Sequence, residues 1–257
     1  MKLIVRPQLV LQNRLISAFP HETSDRLRPN MIPVTLALGE VIYDYGERPE
    51  HMYFPAGAVA SLLCTTECGA TVEIGMVGND GMVGVGLLLG RETMPYSAIV
   101  QVAGAAIKLR AKLLQDEFAR SVAVQRVLLS YIHALLTQIS QTAVCNRLHA
   151  VEQRLCRWLL LSHDRAQSDE LKMTQEFISN MLGARRESVT VAAARLQDAG
   201  LIHYSRGHIT IRNRAGLESA ACECYQTVKD EIDFHPASKP SHGVAEEHKS
   251  RISNFRS

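Results

Sequence analysis

Gly183 constrains the fold of this chain more than any other residue, because of what stands on either side of it. Residues 173–214 read MTQEFISNMLGARRESVTVAAARLQDAGLIHYSRGHITIRNR, and the glycine divides two runs of helical periodicity. Before it, Phe177, Ile178, Met181 and Leu182 recur at helical spacing, and Thr174 offers its hydroxyl to the backbone N–H of Phe177. A helix is therefore predicted to start at about Gln175. Gly183 can take a positive φ without a Cβ clash, which a sharp turn between two steeply packed helices requires. A second helix begins near Arg185, with Val189, Ala193 and Leu196 on its buried side and Arg186, Glu187, Thr190 and Ala194 opposite. Gly200 is the expected C′ stop. Residues 201–204 then alternate as a strand, Ser205-Arg206-Gly207 turns the chain, and residues 208–211 return. Two helices and a hairpin in this order make a winged helix.

The chemistry of the second helix suits double-stranded DNA. An arginine near a helix start can donate twice to guanine O6 and N7 in the major groove, and an adjacent carboxylate can accept from cytosine N4. Arg186 and Glu187 fit those roles. Thr174, Arg185, Ser188 and Thr190 can add phosphate or base-edge contacts, and Arg206 or His208 on the wing can hold the neighbouring backbone. The net charge of only +2 excludes a histone-like polycation, so affinity must come from local clustering. Arg185, Arg186, Arg195, Arg206, Arg212 and Arg214 supply it.

The segment TQEFISNMLGARRESVTVAAARLQDAGLI resembles the Crp/Fnr family of bacterial transcription regulators. The resemblance makes Gly183 the turn glycine and Arg186-Glu187-Ser188-Val189 the core of the recognition helix. Val191 departs from it, since several relatives carry a further arginine there, so the target sequence or affinity is expected to differ.

Upstream, residues 31–110 hold short apolar alternations (VIYDYGE, HMYFPAGAVASLL, ATVEIGMVG, AIVQVAGAAIKL) bounded by Gly, Pro and Asp. They predict an antiparallel β-roll or barrel. The glycines of GNDGMVGVGLLLG have neither the acidic partner nor the βαβ setting of a dinucleotide loop. The family resemblance implies a cyclic-nucleotide-binding-like fold, whose phosphate cassette opens on Gly-Glu and closes on Arg-Ser/Thr-Ala. Here Gly81-Met82 and Tyr96-Ser97-Ala98 stand at those places, and both charged contacts are missing. A buried phosphate without its arginine is poorly compensated, so cyclic AMP is not the expected ligand. The effector pocket is assigned to Gly81, Met82, Tyr96 and Ser97, its ligand an unknown small molecule. Arg91 and Glu92, in the intervening loop, are expected to form an exposed salt bridge.

A long helical tract spans residues 117–143, where Val124, Leu128, Tyr131, Leu135 and Ile139 recur at spacings of four and three. Such a stripe packs either on its own β-domain or on a second copy of itself. The resemblance makes it the dimer helix, and a two-fold dimer demands a palindromic site. Cys145-Asn146-Arg147 is the expected hinge, with Leu148, Val151, Leu155, Trp158 and Leu159 forming the core stripe of the next helix. Of the six cysteines none precedes Cys64, which argues against the N-terminal iron–sulfur cluster of oxygen-sensing relatives. Cys64/Cys68 and Cys222/Cys224 are isolated pairs without tandem zinc spacing, and packing is the default for Cys224. His149 and His163 read as helix-surface groups. No metal, cofactor or nucleophile–base constellation is expected, so the chain is not read as an enzyme.

The expected architecture is α+β: an N-terminal antiparallel β-roll of cyclic-nucleotide-binding type, a long dimerisation helix and a C-terminal winged helix-turn-helix. Residues 1–116 make the sensor with a helical lead-in, 117–146 the dimer helix and hinge, 147–234 the reader with a C-terminal helix, and 235–257 a polar, disordered tail. No stretch approaches the ~18 uninterrupted apolar residues of a membrane span, and the N-terminus carries no cleavage signal, so a cytoplasmic protein is expected. RNA polymerase is a further candidate partner. The alternative function is a sensor or adaptor that works through protein contacts with a repurposed winged helix.

Overall fold

The computed structural model describes residues 7–233, so the expected tail at 235–257 lies outside the described residues. Three short helices, α1 (Pro7–Gln12), α2 (Arg14–Ser17) and α3 (His21–Leu27), lead into strands β1 (Ile32–Leu36), β2 (Val41–Tyr43), β3 (His51–Pro55), β4 (Val59–Thr65) and β5 (Thr71–Val77). Helix α4 (Val85–Leu88) separates these from β6 (Ser97–Val102) and β7 (Gly104–Arg110). The strands form two sheets, ordered β1-β7-β3 and β2-β6-β4-β5, with every pairing antiparallel. Alternate side chains turn inward, and Tyr43, Met52, Phe54, Leu62, Met82, Met94, Ile107 and Leu109 are fully buried between the sheets. The roll is filled by its own side chains.

The long tract is two helices, α5 (Ala111–Arg120) and α6 (Val122–Leu148). Ser121 breaks it: its backbone is extended and its hydroxyl caps α6 by accepting from the N–H of Val124 at 3.4 Å. Residues 145–147 remain helical, so the expected hinge is displaced. The chain leaves the helix at His149 and Ala150, both extended (ψ 149° and 151°), before α7 (Val151–Ala166). Leu148 is accordingly the last residue of α6, 70% exposed, and no part of the next helix's stripe, whereas Leu155, Trp158 and Leu159 are buried as expected.

Val124, Leu128 and Leu135 are buried and Tyr131 and Ile139 half-buried, all in the core of the roll, so this stripe packs on its own domain. The helix can come that close because Gly81 lies beneath it: a Cβ there would stand 2.2 Å from the Tyr131 ring. A second stripe, Val122, Leu129, Leu136 and Ala143, recurs at every seventh position on the exposed side, with Ile132 and Ile139 half-buried beside it. Two apolar faces make α6 long and apolar enough, by length and composition, to cross a membrane. Its buried polar groups belong instead to a core helix: Gln138 donates to the Met76 carbonyl at 3.0 Å, and Thr142 to the Gln138 carbonyl at 2.8 Å.

The remainder comprises β8 (Glu170–Lys172), α8 (Gln175–Leu182), α9 (Arg186–Asp198), β9 (Ile202–Ser205), β10 (His208–Ile211), α10 (Arg214–Ala220) and α11 (Cys224–Asp233). Strand β8, too short to announce itself by alternation, completes a β8-β10-β9 sheet. The reader's core, built on Leu155, Trp158, Ile178, Leu182, Val189 and Leu196, continues into Val59, Leu63 and Met76 of the roll. The two halves thus share one apolar interior, and α11 packs back along α6 and α7.

Candidate nucleic-acid interface

The reader is assembled from local caps. Thr174 Oγ1 accepts from the N–H of Phe177 at 3.1 Å, and α8 ends at Gly183 in the left-handed region, φ 55°. Arg185 is the extended N-cap of α9 and makes no side-chain cap, leaving the first amides of that helix without a side-chain acceptor. A double bond pattern closes α9: Leu201 N–H to Leu196 O and Gly200 N–H to Gln197 O, both 2.9 Å, with Gly200 at φ 70°. Arg206 and Gly207, at φ 51° and 78°, form the two-residue turn of the wing, with Ser205 opposite His208.

Arg185, Arg186, Glu187, Ser188 and Thr190 are all exposed on α9. Thr174, Gln175, Arg186, Tyr204, Arg206 and Gly207 line a shallow groove between the start of α9 and the wing. Glu187 and Ser188 line the neighbouring hollow with Val191 and Arg195. The Thr190 hydroxyl lies 2.9 Å from both Gln175 Oε1 and the Arg186 carbonyl, so part of its bonding capacity is used inside the motif. Three positioning residues escaped the sequence reading. Gln175 ties α8 to α9 through Thr190, and Gln197 Oε1 accepts from the Tyr204 N–H at 2.8 Å. Tyr204 OH donates to the Met173 carbonyl at 3.1 Å, fixing the wing to the start of the motif. Such long-range polar pairs leave no periodic signal.

Of the six arginines expected to cluster, two are engaged internally. Arg214 pairs with Asp164 at 2.7 Å and Glu218 at 3.1 Å, and Arg195 with Glu152 at 3.4 Å. Arg185, Arg186, Arg206 and Arg212 make no ion pair among the described residues. Unneutralised guanidinium groups around a helix start and a wing are what a phosphate backbone requires.

On the sensor side, Met82 is buried and its carbonyl accepts from Tyr131 OH at 2.7 Å. Met82 and half-buried Tyr96 pack into one core with Tyr43, Met52 and Met94, and α4 starts at Val85, three residues beyond Met82. Ser97 donates to Asp44, which also accepts from the Tyr45 N–H at 2.8 Å. Those donors, Ser97 first, hold the Asp44 carboxyl below its ordinary range. A carboxylate therefore stands beside Ser97. Glu92 pairs with Arg48 at 3.3 Å rather than with Arg91, and the pair is exposed.

The cysteine and histidine expectations change most. Cys222 and Cys224 are not isolated: Cys145 and His149, at the end of α6, meet them between α10 and α11. Cys145 Sγ lies 3.5 Å from Cys222 Sγ, Cys224 Sγ lies 3.6 Å from His149 Nδ1, and all four donor atoms fall within 4.8 Å of one another. His149 is thus the inward-facing C-cap of α6 rather than a surface group. His163 is also held, its Nε2 2.7 Å from Asp169. Cys64 lies near the end of β4, opposite Val72, and Cys68 lies exposed in the β4–β5 turn.

Comparison with known proteins agrees with this layout. A family model described as a Crp-like helix-turn-helix domain matches residues 153–220, and one described as a cyclic nucleotide-binding domain matches residues 33–121. No curated protein sequence matches the chain. Among solved structures it is similar to FixK2 from Bradyrhizobium japonicum, at 18% identity and TM-score 0.64 over 75% of this chain and 98% of that one. It is similar to a CRP-family transcriptional regulator from Thermus thermophilus, TTHB099, at 19% and 0.61 over 73% and 96%. A third likeness is to CLP, a c-di-GMP-responsive global regulator from Xanthomonas campestris, at 16% and 0.58 over 75% and 99%. At these identities the structural likeness bears on the fold.

Proposed function

The chain belongs to the Crp/Fnr-like transcription regulators and carries their helix-turn-helix DNA-binding domain, and on that footing we propose that it acts in the cytoplasm as a homodimer on a palindromic DNA site. The observation that carries this reading is the exposed Arg186-Glu187 step at the start of α9, flanked by Arg185 and Arg206, none of the three arginines neutralised by a described carboxylate. Arg186 donates to a guanine and Glu187 accepts from a cytosine, while Thr174, Arg185, Ser188, Thr190 and Arg206 hold phosphates and sugar edges.

Dimerisation uses the exposed heptad of α6, Val122, Leu129, Leu136 and Ala143, in place of the stripe that packs inward. A seven-residue apolar repeat favours a left-handed two-stranded coiled coil. Two recognition helices related by that axis reach successive major grooves, ~34 Å apart. The sensor does not take cyclic AMP: the Asp44 carboxylate beside Ser97 repels a phosphate at the point where a cation is needed. Its effector is another small molecule, RNA polymerase is the partner through which transcription changes, and no catalytic step is assigned.

Arg186→Ala tests the reading. Binding to a cognate duplex, followed by fluorescence anisotropy at fixed salt, is expected to weaken by ~1–3 kcal/mol, about five- to 160-fold, with specificity relaxed at one base pair. Unchanged affinity and specificity would overturn the assignment of α9 as the reader.

A further inference from the structure

Cys145 lies in the last turn of α6 and His149 is its C-cap, whose backbone N–H donates to the Cys145 carbonyl at 3.1 Å and so holds the two residues together. Cys222 stands between α10 and α11, and Cys224 opens α11. Tertiary packing gathers these three sulfurs and one imidazole nitrogen, two of them 77 residues apart, within 4.8 Å. A tetrahedral zinc ion with Zn–S bonds of about 2.3 Å needs donor–donor edges of about 3.8 Å. The separations of 3.5 Å and 3.6 Å between Cys145 and Cys222 and between Cys224 and His149 come close to those edges. The donors are too compact to surround an iron–sulfur cluster.

Two independent features point to an ion as the occupant. The other ring nitrogen of His149, Nε2, lies 3.4 Å from Glu223 Oε1, the arrangement in which a carboxylate orients a metal-bound imidazole. Buried positive charge also stands at the same end of α6: Arg154 and Arg157 are buried, and Arg157 donates to Thr142 Oγ1, three residues before Cys145, at 3.2 Å. Arg157 Nε and Nη1 and Arg154 Nε are buried without a hydrogen-bond partner. Three thiolates and a neutral imidazole around a divalent cation carry one net negative charge, which those guanidinium groups balance.

We propose that Cys145, His149, Cys222 and Cys224 form a site for one tetrahedral divalent cation of the zinc class, which ties the end of α6 to α11 across the break at His149 and Ala150. Binding releases thiol protons to solvent and needs no oxidant. Fixing the end of α6 to α11, which packs on both α6 and α7, sets the reader's angle to the dimer helix. Only this regulatory consequence rests on the DNA-binding reading; the site does not.

The test is titration of the full reduced, EDTA-stripped chain with cobalt(II) chloride, then with zinc chloride. One cobalt per chain is expected, with intense sulfur-to-cobalt charge-transfer absorption and tetrahedral d–d bands that zinc abolishes. Cys145→Ala and Cys222→Ser should each weaken binding at least a hundredfold, and Glu223→Gln about tenfold, while Cys64→Ser/Cys68→Ser changes nothing. Absence of the charge-transfer band in the unsubstituted chain overturns the proposal, as does single-ion binding that survives Cys222→Ser. The readout contains no DNA, so its failure is distinct from failure of the regulator reading.

Discussion

Glu73, on β5, is buried at the seam between roll and reader, where Trp158 Nε1 donates to its Oε1 at 3.0 Å while Oε2 has no partner. Burial raises its carboxyl from 4.5 to about 7, outweighing the opposing influence of Ser61, Trp158, Arg157 and Arg165. A carboxyl whose folded value lies above its unfolded one retains a proton that the unfolded chain releases. Its contribution is therefore fully present below about 4.5 and is lost as pH rises towards 7, an effect on the order of 3 kcal/mol. Thermal unfolding across pH 4.5–7 should show stability declining from this residue, and Glu73→Gln should flatten that decline. An unchanged slope in the variant would assign the dependence elsewhere. Nothing in ATVEIGMVG marks Glu73 as buried, because an alternating strand looks the same whichever element covers its other face.

Legibility at the scale of elements divides by how local the determining contacts are. The winged helix could be read closely: Thr174, Gly183, Gly200 and Arg206-Gly207 act within a few residues of themselves, and each cap and turn stands where its chemistry requires. For helix α6 the stripe legible in the sequence packs on the roll, one of the two alternatives its spacing leaves open. Its stripes at spacings of three to four and of seven coexist, and only Gly81 and the roll beneath decide which turns inward. Four cysteine and histidine donors contributed by two distant segments leave no spacing to recognise. The exposed heptad can be tested directly. Leu129→Glu/Leu136→Glu puts like charges into the seam without touching the inner core, and sedimentation should shift from dimer to monomer while the far-ultraviolet spectrum stays unchanged. A monomer–dimer equilibrium identical to that of the parent would exclude this face.

At the scale of the whole molecule, roll, long helix and reader are coupled by contact rather than by a flexible linker. Val59, Leu63 and Met76 of the roll enter the reader's core, and Trp158 reaches back to Glu73. The buried pair Arg165–Asp80, at 2.9 Å, joins α7 to the turn after β5, where Arg165 packs over Gly78. Packed side chains thus join the roll to α7, and an effector switches the reader through them only if it binds one arrangement better than the other, typically by ~1–3 kcal/mol. The most direct measurement is selection of a randomised duplex library by the purified chain at near-physiological salt, with zinc and without, followed by sequencing of the retained DNA. The expected result is a palindrome with half-sites about one helical turn apart, lost with Arg186→Ala. No enrichment under either condition, or a palindrome that persists with Arg186→Ala, would contradict it.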